Sequence, residues 1–262
     1  MSETAKRALP AVKSKVQPAA ATAIPKKINM LRMRHSFSIC LVGDSGVGKT
    51  RMAFGTTPPG SRTLGLVTEN GLMSVVDDVL ARPEDFDMRL VKTSAEFRGI
   101  VNWLYQNPDR FNIVVLDSAT ALMNILYTEC VNKGMSGFGL YGKISEDLRK
   151  LMVAFCELPI ITVTTVLEDN HLADDGSRKI EPRLRGRDAR GEFFAWFDEV
   201  FHMNKILDEG ETSFTYSLYT AKNGFLPGKD RSGKLEICEP EFNLAALLEK
   251  MVGKLPERPP LA

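Results

Sequence analysis

The sequence predicts an α/β domain with a mainly parallel central sheet, helices on its flanks and an antiparallel hairpin at the C-terminal edge. Three observations predict it. Short apolar strands alternate with helix-period segments through most of the chain. Phe111-Asn112-Ile113-Val114-Val115-Leu116 is apolar without alternation, as strands covered on both faces are. Late in the chain, residues 199–204 and 213–219 read as two strands around the turn Asp208-Glu209-Gly210.

The elements follow in order. A strand at 36–42 runs into a glycine-rich turn and a short helix through Arg51-Met52-Ala53-Phe54. A strand at 62–68 precedes a helix from about 71 to 80, and Met88-Arg89-Leu90-Val91-Lys92 reads as the next strand. Thr93 and Glu96 have capping-box spacing and open a helix carrying Phe97, Ile100, Val101 and Leu104. Asn107-Pro108 stops that helix. After the 111–116 strand comes a helix through Leu122, Ile125 and Leu126, which the glycine-rich stretch 134–142 interrupts. The helix resumes over 144–158, and Ile160-Ile161-Thr162-Val163-Thr164-Thr165 is a strand. Residues 169–186 are polar and read as a mobile loop, and a helix at 244–251 ends the pattern.

A chain of 262 residues, 44% hydrophobic and 26% charged, can build its core without disulfides or a structural metal. Cys40, Cys130, Cys156 and Cys238 are scattered without C-x-x-C spacing and read as free thiols. His35, His171 and His202 show no metal-ligand spacing, and His202 reads as a structural strand residue. No stretch approaches the ~20 apolar residues of a membrane span, so a cytoplasmic protein is expected. The net charge of +1 is uneven: residues 1–34 hold eight basic residues and one acidic residue. That segment reads as a disordered arm, either solubilising or attracted to nucleic acid. The expected organisation is therefore an arm at 1–34, one domain at 35–252 and a flexible tail at 253–262.

Gly43-Asp44-Ser45-Gly46-Val47-Gly48-Lys49-Thr50 spells G-x-x-x-x-G-K-T between a strand and a helix. In that context it is a phosphate-binding loop. Backbone N–H groups curl around the phosphates, Lys49 reaches the outer ones, and the Thr50 hydroxyl ligates Mg²⁺. Such a loop needs a second acid to hold the cation through water, and Asp117, ending the 111–116 strand, is well placed. The plainer role of Asp117 is a helix N-cap. Glu69 ends the second strand, where it can orient an attacking water as a general base; the alternative is a solvated turn acid.

These four segments, Gly43 to Thr50, Val67-Thr68-Glu69, Val114-Val115-Leu116-Asp117-Ser118 and Ile161-Thr162-Val163-Thr164-Thr165, come in the order of the RecA-type ATPase core. The chain resembles phage-encoded one-domain members of that superfamily, including the single-strand annealing and recombination proteins of the Sak-four type. The resemblance covers residues 36–250. It implies a RecA-like ATPase fold, ATP and Mg²⁺ as ligands, Glu69 as the catalytic glutamate, and Thr164 or Thr165 at the γ-phosphate sensor position. It also implies a cation from a neighbouring subunit. Lys229 and Arg231, with K-x-R spacing, are the first candidates and Lys222 the rival; each is otherwise a solvated loop charge.

The resemblance further implies two single-strand DNA loops. The first holds Lys133, Phe138, Tyr141 and Lys143, and the second Arg183, Arg185, Arg187 and Arg190. Arginines track phosphates, and aromatics offer bases a stacking face. Alternatively the aromatics pack on the following helix and the arginines pair with nearby aspartates. The implied partners are single-stranded DNA, further copies of the chain in a ring or filament, and a single-strand DNA-binding protein; the implied location is the host bacterial cytoplasm. The competing reading is a nucleotide-switched accessory protein that acts on a protein partner without DNA.

Overall fold

The computed structural model describes residues 35–172, 176–207 and 214–257. The expected arm at 1–34, the 208–210 turn and residues 258–262 of the expected tail lie outside them. Five strands form the parallel body of the sheet in the order β3 (Phe86–Leu90), β2 (Thr63–Val67), β4 (Ile113–Asp117), β5 (Ile161–Leu172), β1 (Ser38–Gly43). The sheet continues through β7 (Glu199–Leu207), parallel to β1, and then through β8 (Phe214–Tyr219) and β9 (Cys238–Glu239), both antiparallel. The fold class is the one read from the sequence.

The strand alternation builds two apolar layers. Cys40 and Val42 face one, and Ile39 and Leu41 face the other. The first layer is covered by α2 (Ser94–Gln106), α3 (Ala119–Asn132) and α4 (Gly137–Cys156), following α1 (Val76–Leu80) in the chain. There Phe97 and Phe155 meet with ring centroids 5.6 Å apart. The second layer is covered by a π-helical turn at Arg51–Gly55 and by α6 (Leu244–Val252), which supplies Leu244, Leu247, Leu248 and Met251; α5 (Arg187–Glu192) lies between them in sequence. The capping box of α2 forms as expected: Glu96 N–H donates to the Thr93 hydroxyl at 3.1 Å, and Thr93 N–H to the Glu96 carboxylate at 3.3 Å.

Several expectations are corrected. Residues 137–142 are not an interruption but the first turns of α4. Three glycines there each disfavour helix by about 1 kcal/mol, but Leu140 and Ile144 are buried, at ~1.5–3 kcal/mol each. The expected mobile loop at 169–186 is largely a hairpin: β5 runs on to Leu172, and Glu168–Leu172 pair antiparallel with β6 (Arg178–Pro182). The sequence reading missed β6 because its partners are polar, as fits two strands that project beyond the helix-covered sheet. The helix at 71–80 is split into a 3₁₀ turn, Leu72–Ser74, and α1. Strand β3 starts at Phe86, whose buried ring anchors it. Beyond α6, the Asn112 amide donates to the Pro256 carbonyl at 2.7 Å.

Candidate functional site

The phosphate loop leaves β1 at Gly43, where β5 and β7 flank it through Leu167 and Met203. A Cβ on Gly43 would lie 2.6 Å from the Met203 carbonyl, so only glycine fits there. Gly48 has φ +109, which side-chain-bearing residues rarely adopt. Lys49 is 8% exposed, and its ammonium donates to the Gly43 and Asp44 carbonyls at 2.9 and 2.7 Å. Burial pulls its pKa down to about 8, against the opposing pull of Asp117, Glu168 and Asp44. The lysine thus closes the loop on itself through neutral partners.

Asp117, buried at the end of β4, gathers the neighbouring strands. Thr50 donates its hydroxyl to one carboxylate oxygen at 2.8 Å, and Thr165, from β5, donates to the other. Thr50 and Asp117 are therefore hard oxygen donors side by side, a donor set that suits Mg²⁺. Asp117 is not the N-cap of α3. Ser118 takes that role, accepting from Ala121 N–H at 3.2 Å.

Glu69 is exposed at the end of β2 and accepts from the Ser118 hydroxyl at 3.0 Å. The backbone around this pair is fixed by Thr68. Its hydroxyl accepts from Ser118 N–H at 2.8 Å, and its own N–H donates to the Asp117 carbonyl at 2.9 Å. Of the two sensor candidates, only Thr165 reaches the site. Thr164 points to the opposite face of β5, between Leu116 and Cys40 in register, with a buried hydroxyl that has no hydrogen-bond partner. Strand parity decides this, because adjacent residues face opposite sides.

Gly46, Lys49, Thr50, Glu69, Asp117 and Thr165 line one cleft of ≈ 880 Å³. Sequence reasoning missed its far wall, made by Tyr216 of β8 and the segment Pro240-Glu241-Phe242. Tyr216 and Phe242 meet edge to face with centroids 5.3 Å apart, and the Phe242 ring lies over Gly48. Only the aromatic alternation Phe214-Thr215-Tyr216 hinted at this wall. Ser118 was likewise read only as part of a helix start.

The remaining candidates lie elsewhere. Lys229 donates its ammonium to the Phe197 carbonyl, and Arg231 pairs with Asp198 at 2.7 Å. Both sit beside the start of β7, at the sheet edge opposite the phosphate loop. Lys222 is exposed, in the loop after β8. Phe138 is 97% exposed on the first turn of α4, Tyr141 is exposed nearby, and Lys143 pairs with Asp147 at 2.6 Å. Lys133, exposed, caps α3. Arg183 is exposed and its N–H donates to Leu167 at 2.7 Å, while Arg185 stacks 4.1 Å over the Tyr127 ring. Arg187 opens α5, and Arg190 approaches Glu181 at 3.7 Å. The two stretches do meet: a Cβ on Gly186 would lie 2.3 Å from the Ser145 hydroxyl and 3.4 Å from the Tyr141 carbonyl.

Comparison with known proteins matches residues 35–232 to a family model described as an AAA domain. Among solved structures, a KaiC-like protein from the hyperthermophilic archaeon Pyrococcus horikoshii OT3 is similar, with 14% identity and a TM-score of 0.44. The match covers 74% of this chain and 83% of that one. No curated protein matches the chain.

Proposed function

The chain belongs to the AAA-domain family, and we propose that it is a Mg²⁺-dependent ATPase with a RecA-like core that works on single-stranded DNA. In this reading it anneals or recombines phage DNA, as Sak-four-type proteins do, and assembles with further copies of itself into a ring or filament. One observation carries the ATPase part: Lys49, Thr50, Glu69, Asp117 and Thr165 converge on one cleft from β1, β2, β4 and β5.

Each residue has a task there. Lys49 exchanges two neutral carbonyls for phosphoryl oxygens, which bind an ammonium more strongly. Thr50 would hold Mg²⁺, with Asp117 fixing the hydroxyl and a bound water; the cation would neutralise charge on the phosphates. Glu69, aimed by Ser118, takes the proton of the attacking water. Thr165 holds the second oxygen of Asp117 and keeps the carboxylate oriented. Tyr216 and Phe242 supply an apolar wall for the nucleobase. A cation from a neighbouring copy would complete the stabilisation of the transferring phosphoryl group. The DNA part is supported by the packing of Gly186 against α4, which sets Phe138, Tyr141 and Arg185 on adjoining segments.

The test is ATP hydrolysis measured against protein concentration, with and without single-stranded DNA. The expected result is a specific rate that rises with concentration and rises again with DNA. A rate per chain that ignores both would remove the assembly and DNA parts and favour a nucleotide-switched accessory protein.

A further inference from the structure

A second groove, of ≈ 710 Å³, lies between β6 and the loop that follows β8. It is built from Arg178 and Lys179 on β6, Phe194 after α5, and Lys222, Phe225 and Lys229 on the loop, and none of its lining residues is acidic. The loop is rigidly formed: Asn223 and Leu226 exchange backbone hydrogen bonds, and a Cβ on Gly228 would lie 2.3 Å from the Ala221 backbone. The Arg178 guanidinium reaches across to the Phe225 ring, 5.8 Å from its centroid, so the two walls meet there.

The four cations are not equivalent. Lys229 is occupied by the Phe197 carbonyl, and burial with the nearby Arg231 lowers its pKa. Lys179 is paired with Glu181. Arg178 and Lys222 are exposed, and Phe225 keeps 42% of its surface in water. Dispersed cations beside an exposed aromatic face, in an open groove, suit a linear polyanion that carries stackable rings better than a compact anion.

We propose that this groove is a second contact for single-stranded DNA, with Arg178 and Lys222 on phosphates and Phe225 stacking a base. The inference rests on the single-stranded DNA reading above and extends it from the second loop's stretch, which holds Arg178, to Lys222 and Phe225 on the loop after β8. β6 leads directly through Pro182 into Arg183, so one strand can run from the groove to the Arg185–Tyr127 stack. It also gives Lys222 a role other than that of a finger reaching a neighbour's nucleotide.

The experiment is fluorescence anisotropy of a labelled 30-nucleotide oligo-dT across a salt series, on full-length protein whose thermal unfolding matches wild type. Phe225→Ala should weaken binding by about five- to one-hundred-fold. Arg178→Ala with Lys222→Ala should flatten the dependence of log affinity on log salt by about 1.4, from two contacts at ~0.7 each. Lys222→Glu, on an exposed side chain, carries the test if Phe225→Ala does not fold. Wild-type affinity and slope in these variants, with binding lost in Arg183→Ala/Arg185→Ala/Arg187→Ala, overturns the groove and leaves the DNA reading intact. No binding by wild type overturns both.

Discussion

At one edge of the sheet, Lys49 bonds only to carbonyls of its own loop and lines an ≈ 880 Å³ cleft. At the opposite edge, Arg231 is ion-paired with Asp198, and Glu199 takes the N–H groups of Arg231 and Ser232 at 3.2 Å each. Both edges hold a buried ionisable group, but the first leaves Lys49 with neutral partners, whereas the second pairs Arg231 with a carboxylate. An incoming anion gains by displacing a carbonyl, whereas at the second edge it must compete with a carboxylate already in place. Basic residues at suggestive spacing therefore mean different things according to what already satisfies them.

The largest expected effect breaks the first edge. Lys49→Ala should lower ATP turnover by about 10²–10³-fold, read in a steady-state phosphate-release assay, since it removes a charge aimed at the reacting phosphates. Wild-type turnover would show that the cleft is not the hydrolytic site. Glu69→Gln separates binding from chemistry at the same edge. Turnover should fall by about 10²-fold or more while a fluorescent ATP analogue still binds with wild-type affinity. Parallel loss of both would make Glu69 a binding residue.

The second edge is probed by Glu199→Gln. Burial, then the neighbouring Asp230 carboxylate, pushes the Glu199 pKa up to about 8. A raised carboxyl pKa favours the folded state while the group is protonated, and that advantage fades as pH climbs from about 4.5 to about 8. The substitution should therefore raise Tm by a few degrees at pH 9 and flatten its dependence on pH over that window. An unchanged profile in differential scanning fluorimetry would place the pH sensitivity elsewhere. The smallest effect is on Arg231→Ala, whose ion pair is largely exposed. Unfolding free energy should change by less than about 1 kcal/mol in a urea titration. A larger loss would mean that the pair clamps the start of β7.

How far these contrasts are legible in the sequence depends on distance along the chain. The phosphate loop, Asp117 and the capped helix at Thr93 are local patterns, and each folds as its spacing predicts. Thr164 and Thr165 could not be told apart by spacing, because the register of β5 against β4 and β1 decides which one faces the site. The glycines at 137–142 pointed to a loop because propensity is local, whereas the burial that overrides it comes from neighbouring helices. The clamp of Thr68 on Ser118 spans 50 residues, and nothing near either residue announces it.

The seating of Phe242 over Gly48 has a consequence in time. Thr56, just past the phosphate loop, accepts the N–H groups of Leu244 and Ala245 at 2.8 Å each. The floor of the nucleotide cleft is thus among the first parts of the domain to leave the ribosome, and its wall is nearly the last. A nascent chain stalled before residue 242 has the loop but not the enclosure, so tight nucleotide binding should begin only once Phe242 has emerged.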